Sequence, residues 1–179
     1  GWDDDSQFEV RTRAVFFFCP DTSGNGMQVV RLDENGYAPN WNEAFDIPNH
    51  DLSAFASRQN MVWLSSGNLK VLLEVNPVTG QTERRFNGLP LSPHVFAIGR
   101  KQALIADTLQ DAIAFVDLKD GSSPFVLQNV HALKCVYNNS KFYLAHGTDS
   151  LTIYDESALY PRARLALGAK IDDLMFDNI

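Results

Sequence analysis

The sequence predicts an all-β chain of about four repeated units, each of four antiparallel strands. Two recurrences predict it. The first is a turn that follows an apolar strand: VVRLDENG (29–36), LLEVNPVTG (72–80), AFVDLKDG (114–121) and LTIYDESA (151–158). Anchored on Asp33, Asn76, Asp117 and Asp155, the copies stand 43, 41 and 38 residues apart. Asp or Asn at that point accepts a hydrogen bond from the backbone two residues on, and the Gly that follows takes positive φ. The fourth copy lacks the Gly. The second recurrence reads strand, polar turn, strand: LSAFASRQNMVWLSS (52–66), HVFAIGRKQALIADT (94–108) and LKCVYNNSKFYLAHG (133–147). Phe55, Phe96 and Cys135 align at separations of 41 and 39. Both markers keep one phase, which neither would do by chance as readily as alone.

The third unit is the best kept. Its strands, a to d, are expected at about 94–99, 102–107, 112–118 and 123–128. The polar breaks at Arg100–Lys101, Asp111 and Asp120–Gly121 separate them. Four short strands with tight turns, repeated near forty residues, are the pattern of a β-propeller blade. Strands b and c are almost continuously apolar, as sheets covered on both faces require. The units fall at about 10–49, 50–90, 91–129 and 130–168, in one domain spanning 10–179. Residues 1–9, with Asp3, Asp4 and Asp5, read as a flexible acidic leader. Residues 10–19 read as a strand b without its a, and 170–179 as a strand a without its b. The terminal strand is therefore expected to complete the first blade and remove an open edge. The alternative is half of an eight-bladed ring formed by two chains. A competing reading has helices at DLSAFASRQNM or DESALYPRARLAL, which Pro161 and the strand phase oppose.

A chain of 179 residues is long enough to bury a core without metal or disulfide support. The net charge of −7 argues against a phosphate backbone or anionic lipid as partner. Cys19 and Cys135 lie in apolar runs and read as small buried side chains, with one long-range disulfide as the alternative. The longest apolar run, AVFFFC (14–19), is too short to span a membrane. The chain opens Gly-Trp and continues as a polar leader of the kind that follows a lipoprotein anchor. A periplasmic or cell-surface location, with a lipid anchor on a removed N-terminal segment, is the expectation.

The run SPHVFAIGRKQALIADTLQDAIAFVDLKDG (92–121) resembles the YVTN-type propeller repeat. Pro93-His94, the Arg100–Lys101 turn, LIAD (104–107), AFVD (114–117) and Gly121 carry the resemblance, and LLEVNPVTGQ (72–81) matches its closing part again. It covers most of 50–168. Arg100–Lys101 and Gln59–Asn60 stand where the repeat has Asp-Gly. The resemblance implies a scaffold found in surface-layer and periplasmic binding proteins and in some lactonases, and the scaffold alone does not choose among them.

In such a fold the starts of the a strands converge at one end of the central channel. His50, His94, His131, Asp172 and Asp173 lie near those starts. Together they form the candidate ligand site, able in principle to hold an anion or a divalent metal. Their offsets from the Phe55/Phe96/Cys135 anchor are unequal, so a regular ring is not expected, and turn or rim duty is the competing reading. CPDTSGNG (19–26) has one carboxylate, too few for a calcium loop. Asp107, Asp111 and Asp149 fall near b–c loops and are expected to be solvated. Arg84, Arg85, Arg162 and Arg164 fall on outer d strands and are expected to face water. No catalytic set is recognisable. The expected role is a non-catalytic envelope binding or scaffold module acting through its loop rims on a protein, small-molecule or glycan ligand, with no nucleic acid and no required cofactor. The alternatives are a lactonase-like metal-dependent hydrolase with a channel-end site, and a subunit of a homodimeric two-chain ring.

Overall fold

The computed structural model describes residues 7–11, 14–20, 22–23, 26–33, 36–38, 46–48, 51–158 and 160–175. Among these residues sixteen strands make four antiparallel sheets, each of four strands consecutive in sequence. The first sheet holds β1 (Gln7–Arg11), β2 (Ala14–Pro20), β3 (Met27–Asp33) and β4 (Gly36–Ala38). The second holds β5 (Ala54–Arg58), β6 (Met61–Ser66), β7 (Val71–Val75) and β8 (Thr82–Phe86). The third holds β9 (Val95–Ile98), β10 (Gln102–Asp107), β11 (Ala112–Asp117) and β12 (Val126–Gln128). The fourth holds β13 (Lys134–Asn138), β14 (Lys141–Ala145), β15 (Ser150–Asp155) and β16 (Pro161–Ala166). This is a four-blade, propeller-like architecture. The strands expected in the third unit are all present, with β12 three residues shorter than expected at its start. Neither helical alternative forms: β5 and β16 occupy those segments.

The turns follow from local chemistry. The β5–β6 and β13–β14 hairpins each turn on two residues of positive φ, Gln59–Asn60 and Asn139–Ser140. Two such residues match the right-handed twist of the strands they join. In the c–d turns, Asn76 Oδ1 accepts from the Val78 amide (2.9 Å) and Asp117 Oδ1 from the Lys119 amide (2.7 Å). Gly80 and Gly121 then take φ of 72° and 78°. The fourth copy closes without Gly: the Ala158 amide donates to Asp155 O.

Face-to-face packing of the sheets makes the core. Phe18 and Val29 of the first sheet meet Val62, Leu64 and Leu73 of the second. Trp63 and Leu72 of the second meet Phe96, Ile105 and Ala114 of the third. Leu104, Ala106, Ile113 and Phe115 of the third meet Cys135, Phe142, Leu144 and Tyr154 of the fourth. The inner strands β5, β9 and β13 lie side by side along the axis. On the outward face of the fourth sheet, Tyr143, Ala145, Leu151 and Ile153 occupy the register of Leu104, Ala106, Ile113 and Phe115. Ile171 and Leu174 pack there against Ala145 and Leu151.

Two boundary expectations are corrected. Gln7–Glu9 are not leader but the start of β1, paired with β2 from Gln7↔Phe18 to Arg11↔Ala14. Strict apolar–polar alternation in QFEVR suits a strand. The first sheet thus has its own first strand, and residues 170–175 form none. The pair Asp172–Asp173 breaks the alternation a strand would need there. Residues 1–6 and 176–179 lie outside the described residues.

Candidate functional site

Blade topology sorts every loop to one of two rims. The b–c loops and the linkers between sheets share one rim; the a–b and c–d turns share the other. Among the described residues the sequence candidates, His94, His131, Asp172 and Asp173, belong to the linker rim. His50 lies outside the described residues. The others are on that rim but have separate partners.

His94 sits in the seam between the second and third sheets. Its Nδ1 is 3.4 Å from Asp107 Oδ1, without the alignment of a hydrogen bond. Its Nε2 lies close against Gly67, where a Cβ would stand 2.7 Å from it. His131 Nδ1 is 2.7 Å from Asp111 Oδ1, and both are largely exposed. Lys134 Nζ pairs with Asp173 (3.1 Å), and Lys170 Nζ with Asp172 (2.7 Å). Among the described residues no three His, Cys, Asp or Glu side chains group as a metal site would need.

Asp107, expected to be solvated, is instead buried. It ends β10 and organises the rim: its carboxylate accepts from the amides of Leu109 (3.0 Å), Gln110 (3.1 Å) and Ser92 (3.3 Å). Burial alone would raise its pKa, but these donors and nearby His94 outweigh it and the net shift is downward. Ser66 holds the same place at the end of β6, where its Oγ accepts from the Leu69 amide (3.1 Å). Cys19 and Cys135 are unpaired thiols, and burial pushes the Cys135 thiol far above its ordinary value.

The equivalent place after β14 belongs to His146, which sequence reasoning passed over. Its Nδ1 is 2.6 Å from His131 O and its Nε2 2.7 Å from Thr152 Oγ1. The carbonyl requires Nδ1–H, so in the neutral ring Nε2 accepts from the threonine hydroxyl. Burial lowers the His146 pKa; the hydrogen bond to His131 O opposes this, and the charges of Arg164 and His131 add to it. The signal was present: AHG (145–147) stands in register with ADT (106–108).

Around His146 opens a cavity of about 620 Å³ between the 129–131 linker and the fourth sheet. Thr152 and Tyr154, both buried, form its floor, and Arg162 and Arg164 stand on its outer wall. The two arginines were expected simply to face water. They are exposed, but β16 runs opposite β15 and sets them along the mouth. Arg162 Nη1 pairs with Asp155 Oδ2 (2.5 Å), and Arg164 Nη2 donates to Ser150 Oγ (3.3 Å).

At the other rim the described turns of the third and fourth sheets interlock. Glu156, buried in the fourth sheet's c–d turn, accepts from the Lys101 amide (2.6 Å), the Gln102 amide (3.2 Å) and Tyr137 Oη (2.7 Å). Arg58 of the second sheet lies 4.4 Å over the Tyr137 ring and donates to Ile98 O. Burial would raise the Glu156 carboxyl, yet the hydrogen bonds bring its pKa down; burial and the same bond to Glu156 raise Tyr137.

No family model and no curated protein matches the chain. Solved structures do. BamB from Moraxella catarrhalis superposes with a TM-score of 0.65 at 11% identity, over 97% of this chain and 51% of that one. The Pan2 WD40 domain of Neurospora crassa gives 0.64 at 11% identity, over 93% and 50%. The computationally designed Ika4 protein gives 0.62 at 10% identity, over 87% and 93%. The chain spans about half the length of the two natural structures. At these identities the likeness establishes the fold alone: the chain is β-propeller-like.

Proposed function

We propose that the protein is a non-catalytic binding module that works through its linker rim. The cavity between the 129–131 linker and the fourth sheet carries this reading. Its volume falls within the range of small-molecule sites, roughly 300–1,000 Å³. The linker beside it is held by the Val130 amide on Asp111 O and by His146 Nδ1 on His131 O, and loops fixed on a scaffold are how folds present ligands. A fragment screen followed by amide NMR shifts tests it. Hits should cluster at His131, His146, Thr148 and Thr152; hits confined to the Glu156 rim would overturn it.

The finer placement among YVTN-type repeats, and an envelope location, rest on the sequence resemblance. Fractionation of the native host tests the location. The lactonase-like reading with a divalent metal rests on the resemblance alone, and metal analysis of the native protein decides it.

A second reading is favoured by the outward face of the fourth sheet. Leu165 and Leu167 are about half exposed there, at 43% and 54%. The corresponding faces of the second and third sheets are each covered by the next sheet. In a two-chain ring the occupant would be a second copy's first sheet, whose outer face carries the exposed Leu32. Light scattering should then return twice the chain mass, and a monomer at all concentrations would remove this reading.

A further inference from the structure

The linker-rim cavity has an unusual wall for this chain. The protein carries 22 acidic against 15 basic residues, yet no carboxylate lines the cavity. His131, His146, Arg162 and Arg164 do. Asp111 and Asp155 stand outside the lining and are already engaged, by His131 and by Arg162. Among the described residues Arg164 makes no ion pair; its one bond, to Ser150 Oγ at 3.3 Å, is to a neutral group. A guanidinium presents a planar fork that fits a carboxylate through two parallel hydrogen bonds. The rest of the surface is different in kind. The buried Tyr154 floors the cavity, with Val130, Pro161 and Ala163 beside it. An inorganic ion would leave that apolar surface wet.

We infer that the cavity binds a small organic carboxylate, its acid group on Arg164 and on the Thr152 hydroxyl backed by His146, and a compact apolar body over Tyr154. This deepens the rim-binding reading and rests on it. Each basic group has a distinct part. Arg164 supplies the fork. Burial keeps His146 neutral in the empty cavity; when the anion binds, the ring takes up a proton, keeps Nδ1–H on His131 O and donates Nε2–H to Thr152 Oγ1, whose own hydroxyl hydrogen is then free for the carboxylate. Arg162, already neutralised by Asp155, sets the electrostatic margin and is not a direct ligand. The field of these groups opposes the chain's overall negative charge and would draw an anion to this point of the rim.

The test is a titration of the full chain, followed by amide NMR at constant ionic strength. The probes are benzoate, its neutral isostere benzamide, and inorganic phosphate. Benzoate should move the amides of His146, Thr152 and Arg164, and benzamide should bind at least about tenfold more weakly, the worth of a charge-assisted hydrogen bond. Arg164→Gln should weaken benzoate by a similar factor with an unchanged unfolding midpoint, since Arg164 is exposed. Benzamide as tight as benzoate, or Arg164→Gln without effect, overturns the carboxylate assignment and leaves rim binding standing. Phosphate tighter than benzoate overturns the apolar body. No shift at these residues with any probe overturns the pocket itself.

Discussion

The two rims of the fourth sheet differ in what their polar groups face. On the turn rim, the Glu156 carboxylate is filled by donors from two sheets. Lys101 and Gln102 come from the third sheet and Tyr137 from the fourth, and Arg58 of the second sheet covers the tyrosine. On the linker rim, His146 has two partners while Arg164 stands at an open cavity. A buried charge needs every partner it can find, because an unfilled one costs its full desolvation. The filled rim therefore holds the sheets together, and the unfilled one is where a ligand could supply what is missing. Stability and binding are divided between opposite ends of the same strands.

That division is open to direct attack. Glu156→Ala should have the largest effect. It leaves two amides and the Tyr137 hydroxyl without an acceptor and removes a tie between sheets. A loss of about 3 kcal/mol in denaturant unfolding is expected. A loss below about 0.5 kcal/mol would mean that the turn rim is not a lock.

Acid titration comes next. Glu156 and Asp107 both have folded pKa values below their ordinary ones. Each contributes stability that is present above the unfolded-state pKa, roughly 4, and is lost as the pH falls through the lower folded value. Wild-type stability should therefore drop on the acid side of that point. In Glu156→Ala the drop should be smaller, by the share that Glu156 contributes. Equal acid losses in both proteins would show that Glu156 is not linked to folding.

The smallest effect is expected from Arg164→Gln: less than about 0.5 kcal/mol, as for an exposed side chain bound to a neutral hydroxyl. A larger loss would make the linker rim a structural element like its opposite.

Much of the fold was legible from residues that act locally. Asn76 and Asp117 close their own turns, with Gly80 and Gly121 at positive φ, so a repeat of about forty residues could be read from them. The first blade was harder. Only the five residues of QFEVR alternate there, just after three consecutive aspartates, so the sequence assigns Gln7–Glu9 to the leader and only Val10 and Arg11 to a strand. The candidate site was legible only by address. The starts of the a strands do mark one rim, yet His94, His131, Asp172 and Asp173 pair with different neighbours. His146, the histidine that was passed over, lies at the cavity.

What the sequence alone determined is what strand period and turn chemistry can encode within a few residues: all-β class, four units, hairpin positions and the burial of the b and c strands. Only tertiary structure decided which distant groups meet. Glu156 reaches Lys101 across 55 residues, and Arg164 faces the His131 linker because two sheets pack at a particular angle. Packing angle is set by the whole interface of interdigitating side chains, such as Phe115 against Phe142 and Tyr154. No short stretch of sequence carries that information.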